Sequence, residues 1–244
     1  MEFWEQFIEK WKKHKKMNLS KLEKNLGLKF KKKKFLEQAF LHRSYLNEHP
    51  GLKMEHNERL EFLGDAVLEL IVTKHLFNNY SNSEGELTAW RAALVNSKML
   101  AEIADKLKLN DYLLLSKGEK QDTGRARQFI LANTLEAIIG AIYLDQGLTK
   151  TEKFIKNNLI KELPRILKEK LYVDPKSHFQ EKAQAELGTT PNYELVKEQG
   201  PDHAKLFIVG VYLDGKLIAK GEGPSKQSAQ EDAAKKGLKK KNWT

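Results

Sequence analysis

The sequence lacks several features that assign a protein to whole classes. None of its 244 residues is cysteine, which excludes disulfide bonds and cysteine-ligated metal sites. No apolar run approaches the roughly 20 residues that span a bilayer, and the longest, Ala137 to Leu144, has the length of a buried helix segment. The first sixteen residues carry Glu2, Glu5 and Glu9 and no continuous apolar stretch, so no secretory signal is expected. We therefore expect a cytoplasmic protein with no membrane partner.

The composition suits a folded protein with an excess of positive charge. With 40% hydrophobic residues, the chain can bury a core, and its length suits two modest domains or one large one. The net charge of +10 is uneven, because residues 1–40 alone hold 12 Lys against 5 Glu. Such a balance favours a polyanionic partner, since lysine contacts with phosphate release counterions. A solvated, solubilising surface explains the charge equally well.

The periodicity of the sequence changes near residues 173–175. Up to about Leu171 it is almost entirely helical and includes a predicted helix from Phe35 to Asn47. After the change it predicts the order αβββα over about seventy residues, with a hairpin signal at Asp214–Gly215. The predicted elements are a helix at Ser177–Leu187, strands at Tyr193–Gln199, Leu206–Leu213 and Lys216–Gly221, and a helix at Ser225–Leu238.

Acidic residues interrupt two otherwise apolar helices. Glu58, Glu61 and Asp65 are separated by three and four positions, so they project from one face of a helix. Gly64 lies in the middle of that helix, where glycine costs about 1 kcal/mol relative to alanine, and a close approach to another helix would explain it.

The second helix, Phe129 to Leu144, repeats this pattern. Its polar residues, apart from a tyrosine, are Asn133, Thr134 and Glu136, of which Asn133 and Glu136 share a face. Two such oxygen-rich patches could converge on Mg²⁺, which prefers oxygen ligands and keeps several waters. Alternatively, the acids form ion pairs with core arginines, for which the candidates are Arg43, Arg59 and Arg91.

The run from Asn57 to Leu70, NERLEFLGDAVLEL, closely resembles the long and specific motif of the ribonuclease III family. Other landmarks of that family follow the same order along the chain, and the resemblance covers roughly residues 20–243. They are Leu22–Gly27, Phe40–Tyr45, Leu135–Ala137 and Gly140–Asp145. The resemblance implies an all-α endonuclease domain that cleaves double-stranded RNA, leaves 5′-phosphate and 3′-hydroxyl ends with short 3′ overhangs, and processes ribosomal and messenger RNA precursors.

The resemblance also implies the roles of individual residues. Asp65 and Glu136 match catalytic carboxylates, and both of them, with Glu61, match metal ligands. Glu58 and Glu84 match acidic positions of secondary importance. The implied cofactor is Mg²⁺, for which Mn²⁺ could substitute. The family acts as a homodimer on RNA and takes no small-molecule substrate.

One position departs from the family pattern. Asn133 stands where the family usually has an aspartate ligand. An amide oxygen can coordinate Mg²⁺ but brings no negative charge, so we expect weaker metal binding. The main interpretation is a working nuclease. The alternative is a catalytically impaired protein that binds double-stranded RNA or associates with ribosomes.

The C-terminal region resembles a double-stranded-RNA-binding domain of αβββα fold. The resemblance rests on the pattern from Gly221 to Ala234, GEGPSKQSAQEDAA. It implies RNA contacts by Gln180 and Glu181 on the first helix, His203 in the loop between the first two strands, and Ser225 and Lys226 at the start of the last helix. We therefore expect three segments, namely an N-terminal extension (1–19), a catalytic domain (20–170) and an RNA-binding domain (171–244). The extension suits a packing helix, a partner contact, a further RNA contact or a membrane-surface helix, and we favour packing or a partner contact.

Overall fold

The computed structural model of the chain describes residues 18–52, 54–201 and 205–243. It divides into two compact units that meet between Glu169 and Lys170. The N-terminal unit is helical in the part described and contains ten α-helices and two short 3-10 turns, at Leu109–Tyr112 and Ile160–Glu162. The helices are α1 (Leu19–Leu26), α2 (Lys33–Ala39), α3 (Arg43–Glu48), α4 (Glu58–Asn79), α5 (Glu84–Val95), α6 (Ser97–Lys106), α7 (Lys117–Gln121), α8 (Arg125–Gln146), α9 (Leu148–Asn158) and α10 (Leu163–Lys168).

The two longest helices, α4 and α8, form the centre of this unit. Each has 22 residues, and the two pack along each other. Between residues 130 and 142 of α8, every residue is buried except Asn133 and Glu136. A helix that is apolar on all sides belongs in the interior of a domain. Within this stretch of α8, the side chains of Asn133 and Glu136 therefore reach the protein surface.

Glycines permit the close approach of α4 and α8. A Cβ atom added at Gly64 would lie 1.8 Å from the backbone oxygen of Glu136, and one at Gly140 would lie 2.2 Å from the backbone oxygen of Leu60. Real Cβ atoms do not come so close to other atoms, so a side chain at either position would force the helices apart. The close helix contact predicted from Gly64 is confirmed.

The single helix predicted from Phe35 to Asn47 is wrong. The helix α2 ends at Ala39, Phe40 forms a turn, and α3 begins at Arg43 after the extended residues Leu41 and His42. The amide of Leu114 donates to the carbonyl of Phe40 (3.0 Å), and the amide of His42 donates to the carbonyl of Leu114 (3.2 Å). Leu41 thus forms a parallel bridge with Leu114, far along the chain, and the hydrogen bonds of that bridge replace those of a continuous helix.

The C-terminal unit has the predicted order αβββα. Its elements are α11 (Pro175–Leu187), β1 (Asn192–Gln199), β2 (Leu206–Leu213), β3 (Lys216–Gly223) and α12 (Lys226–Lys241). The strands form one antiparallel sheet in the order β1-β2-β3, joined between β2 and β3 by Asp214 and Gly215, both with positive φ. The last helix ends three residues later than predicted. Both helices pack with the sheet around a core that includes Phe179, Val211 and Ala233.

Small residues bring α12 against the sheet. A Cβ atom added at Gly221 would lie 2.0 Å from the backbone nitrogen of Ala233, and Ala229 and Ala233 are fully buried. The pattern of glycine and alanine therefore sets the distance between β3 and α12. In the part of the chain that the structure describes, no helix is both long enough and apolar enough to cross a membrane.

Candidate active site and RNA-binding face

The crossing of α4 and α8 brings the predicted catalytic acids together. Glu61 and Asp65 flank Gly64 on α4, and the backbone of Glu136 on α8 touches Gly64. Glu61 and Glu136 are partly buried, whereas Asp65 is exposed. The site therefore lies where this helix pair reaches the surface, with Asp65 open to solvent.

No cation neutralises these three acids within the described residues. Arginines lie nearby but bind other carboxylates, since Arg43 pairs with Glu58 (3.5 Å) and Arg91 with Glu69 (3.0 Å). The third candidate, Arg59, pairs with Glu55 on the surface (3.4 Å). The predicted alternative, ion pairing with arginine, therefore holds for Glu58. It does not hold for Glu61, Asp65 or Glu136.

The electrostatic result is a raised pKa for Glu136 and for Glu61. Burial raises the pKa of Glu136 to about 8, and the negative charges of Asp65, Glu61 and Glu69 act in the same direction. Burial also raises the pKa of Glu61, with added repulsion from Glu58, while a hydrogen bond with the Asn133 side chain opposes the rise. Without a cation, Glu136 therefore carries a proton at neutral pH.

The donor set fits a hard divalent cation by chemistry. Carboxylate and amide oxygens are the ligands of such ions, and uncompensated acids on a partly buried surface favour their binding. In the described ranges, however, no three His, Cys, Asp or Glu side chains converge closely enough to hold an ion as they stand. The chain thus offers carboxylates from two helices, and water and substrate oxygens would have to complete the coordination.

The two acids of predicted secondary importance lie at different places. Glu58 begins α4 and contacts Arg43, and its charge contributes to the raised pKa of Glu61. Glu84 begins α5, is exposed, and lines a cavity of about 960 Å³ together with Thr73, Phe77 and Arg91. It is not among the acids whose charges raise the pKa of Glu136.

Glu69 is an acid of the site that was not predicted from the sequence. It follows Asp65 by four positions, so it continues the face that carries Glu58, Glu61 and Asp65. Its charge helps raise the pKa of Glu136, and Arg91 holds its carboxylate while also donating to Thr73 (3.0 Å). The spacing alone would have identified it.

In the C-terminal unit, the predicted RNA contacts lie on two helices. Gln180 and Glu181 are exposed on α11. Ser225 caps α12, because its hydroxyl accepts from the amide of Ser228 (3.1 Å), and Lys226 is exposed in the first turn. His203 lies outside the described residues. The start of α12 therefore presents an ammonium group beside a helix N-terminus, which favours phosphate.

Both parts of the chain match known families. Residues 32–163 match the family described as "Ribonuclease-III-like", and residues 175–241 match the "Double-stranded RNA binding motif". The first match alone covers more than half of the chain.

Individual relatives cover almost the whole chain. Ribonuclease 3 of Carboxydothermus hydrogenoformans is 45% identical over 224 residues, which are 91% of this chain and 95% of that protein. Ribonuclease 3 of Leptospira interrogans is 44% identical over 219 residues, or 89% and 88% of the two chains. Among solved structures, the nuclease domain of ribonuclease III from Campylobacter jejuni is 42% identical, with a TM-score of 0.55, and covers 60% of this chain and 99% of its own. That structure is described as flexible in a region involved in dimer formation.

Proposed function

The chain belongs to the ribonuclease III family, and from that membership we propose that it is an endoribonuclease that hydrolyses double-stranded RNA and acts in RNA processing. The observation that carries the proposal is the set of three acids without cation partners where α4 crosses α8. A double-stranded-RNA-binding motif in the same chain supplies the substrate contact.

The family uses a divalent metal, and we assign Mg²⁺ to this chain, with Mn²⁺ as a substitute. Glu61, Asp65, Glu136 and the amide oxygen of Asn133 would hold it. When bound, the cation would neutralise charge on the phosphodiester oxygens and promote attack by water.

The chain's own groups then have separate tasks. Glu136, protonated in the metal-free chain, would have to be ionised to hold the cation, and Glu61 and Asn133 would turn toward the cation the oxygens that now take part in their hydrogen bond. Asp65, the exposed carboxylate, orients the attacking water and accepts a proton from it. The water oxygen bonds to phosphorus, the bond from phosphorus to the 3′ oxygen breaks, and that oxygen takes up a proton. The products carry a 5′-phosphate and a 3′-hydroxyl.

The C-terminal unit would read the shape of the duplex. Gln180, Glu181 and His203 would contact minor grooves and their 2′-hydroxyls, while Ser225 and Lys226 would contact phosphates across the intervening major groove. This mode covers about 16 base pairs without reading a sequence. We place the catalytic domain at residues 20–170 and the RNA-binding domain at 171–244, with 1–19 as an extension. The division into compact units between Glu169 and Lys170 supports this placement.

We also propose that the protein is a homodimer joined through α4. Phe62, Leu70 and Phe77 recur at intervals of eight and seven, so they share one face, and Phe62 is 81% exposed and Phe77 77% exposed. Phe62 also lines a cavity of about 610 Å³ with Phe35 and Leu144. A row of exposed aromatic and aliphatic side chains next to a cavity is typical of a surface covered by another chain.

A second candidate function is double-stranded-RNA binding without efficient cleavage. Asn133 favours it, because a neutral amide stands among the acids and is hydrogen-bonded to Glu61. Binding would then depend on the C-terminal unit alone.

Cleavage of a perfect RNA duplex of about thirty base pairs tests the proposal, since that length exceeds one binding footprint. Mg²⁺ is titrated from micromolar to tens of millimolar with the wild type, Glu136→Gln and the control Glu152→Gln, a surface acid paired with Lys74. We expect cutting in the wild type and in the control, short 3′ overhangs, and loss of cutting in Glu136→Gln. Tight duplex binding with no cutting at any Mg²⁺ or Mn²⁺ concentration would instead establish the second candidate.

A further inference from the structure

One lysine joins the two helices of the C-terminal unit. Lys176, the second residue of α11, donates from Nζ to Oε1 of Gln230 on α12 at 2.6 Å. The same ammonium group lies 5.2 Å from the centroid of the Tyr193 ring on β1. Three elements therefore fix the position of this side chain.

Lys176 forms no ion pair with an acid among the described residues, although Asp174 lies near enough to interact with its charge. Among the described residues, no carboxylate oxygen lies within ion-pair distance of it, whereas Lys205 pairs with Glu198 (2.8 Å) and Lys236 with Asp232 (2.7 Å). The oxygens of Asp174 accept instead from the amides of Lys176 and Ser177. Both partners of the ammonium group, an amide oxygen and an aromatic ring, are neutral. Such partners hold a cation in place and leave its charge available for an anion.

The position of Lys176 relates it to both sets of proposed RNA contacts. It precedes Gln180 by four residues, and its partner Gln230 follows Lys226 by four residues. Side chains four apart on a helix share a face. The ammonium group therefore lies where the faces bearing Gln180 and Lys226 meet, and it remains partly exposed there.

We propose that Lys176 is a phosphate-contacting residue of the RNA-binding face and that Gln230 is the residue that positions it. The ligand is the phosphodiester backbone of double-stranded RNA, and the contact links those of α11 to those of α12. This inference rests on the proposed RNA-binding role of the two helices.

The test measures the affinity of the full chain for an RNA duplex in EDTA, at several salt concentrations. Lys176→Met keeps the apolar stem over Tyr193 and removes the charge. We expect it to lower the slope of log affinity against log salt by about one. The loss of affinity between about 50 and 200 mM salt should then be about 3.5-fold smaller than in the wild type.

Three further variants separate a direct phosphate contact from a general effect of charge. Lys216→Met makes the same change at the exposed start of β3 and should leave the slope unchanged. Gln230→Glu places a carboxylate beside the ammonium group and should lower the slope as Lys176→Met does, without removing the lysine. Lys176→Arg keeps the positive charge, so it should retain most of the wild-type slope of log affinity against log salt. Gln230→Glu also serves if Lys176→Met fails to fold.

The outcomes distinguish this inference from the proposed function. A wild-type slope in Lys176→Met or in Gln230→Glu, with wild-type binding intact, would overturn the role of Lys176 alone. An equal fall in Lys216→Met would show a general charge effect and would overturn it too. Absence of duplex binding by the wild type would overturn the RNA-binding proposal itself.

Discussion

At the scale of single residues, the metal-free site contains a carboxyl group, that of Glu136, which is protonated at neutral pH. It must lose this proton before it can hold a cation. Burial and the charges of Asp65, Glu61 and Glu69 raise the pKa of Glu136 to about 8, against about 4.5 in the unfolded chain. Between these two values the folded protein binds a proton that the unfolded chain does not. The free energy of unfolding of the metal-free protein should therefore fall as pH rises from about 4.5 to about 8. Above pH 8, Glu136 should cause no further fall.

Glu136→Gln should remove that dependence, because glutamine is neutral at every pH and keeps the shape of the protonated side chain. In EDTA, we expect the variant to gain stability over the wild type at pH 9 and to show little difference at pH 4. Denaturant unfolding at both pH values measures it. A wild-type decline that persists in the variant would assign the decline to other groups.

Asn133 is the second residue of interest, because it is neutral and stands among the acids that we propose as metal ligands. In Asn133→Asp, an added carboxylate strengthens attraction for Mg²⁺, and we expect the Mg²⁺ midpoint of cleavage to fall about tenfold, equivalent to about 1.4 kcal/mol. In EDTA, the same change replaces a hydrogen bond to Glu61 with repulsion and should lower the free energy of unfolding by about 1 kcal/mol.

Two unfolding curves, with and without Mg²⁺, check this prediction independently of activity. The variant should be less stable than the wild type without the ion and should gain more from adding it. Asn110→Asp, an exposed change of the same kind on a 3-10 turn, is the control and should leave the midpoint of cleavage unchanged. Equal Mg²⁺ responses in all three proteins would mean that position 133 does not take part in holding the ion.

At the scale of helices and strands, the crossing of α4 and α8 is the feature on which the acids depend. In Gly64→Ala, the new methyl group would meet the backbone oxygen of Glu136, which cannot rotate away. We expect a loss of about 3 kcal/mol or more in the free energy of unfolding, at or beyond the upper range for overpacked cores.

Gly85→Ala provides a matched control, because Gly85 also lies in a helix but has no atom within 4 Å of an added Cβ. Alanine is the better helix former, so this variant should gain up to about 1 kcal/mol. Thermal or denaturant unfolding of both variants measures the contrast. A Gly64→Ala protein as stable as the wild type would mean that the helices can separate at little cost.

Local sequence signals predicted most elements, and their failures have local causes too. The change of periodicity after residue 175 and the hairpin signal at Asp214–Gly215 predicted β2 with its observed bounds. The break between Ala39 and Arg43 was missed, because the bridge with Leu114 depends on residues far along the chain. Spacing predicted that Glu61 and Asp65 share a face, and Gly64 predicted a close contact with another helix. No local signal shows that this helix is α8, or that Arg91 binds Glu69 and leaves the other acids unpaired.

At the scale of the whole molecule, the proposed catalytic acids and the proposed RNA contacts lie in separate compact units. The acids lie in the unit that ends at Glu169, and the proposed phosphate contacts lie in the unit that begins at Lys170. The net charge of +10 is not confined to the RNA-binding unit, because residues 1–40 alone hold 12 Lys against 5 Glu. An element that joins two copies of the chain would bring two such acid clusters to one duplex.

The proposed dimerisation through α4 can be tested at the exposed side chains of Phe62, Leu70 and Phe77. In Phe62→Asp, a charge replaces a side chain that is 81% exposed in the single chain, and burying it against a second copy would cost several kcal/mol. We expect sedimentation to show a dimer for the wild type and a monomer for the variant at micromolar concentration, with cleavage reduced by about tenfold or more.

Leu171→Asp makes the same change at a residue that is 47% exposed and lies outside α4, so it should stay dimeric. Both variants should keep wild-type stability, since neither position belongs to the core, and duplex binding in EDTA should weaken only as far as it depends on having two RNA-binding units. A dimeric Phe62→Asp protein would mean that the second chain does not cover this face. A monomeric wild type that still cuts both strands would show that one copy is sufficient for catalysis.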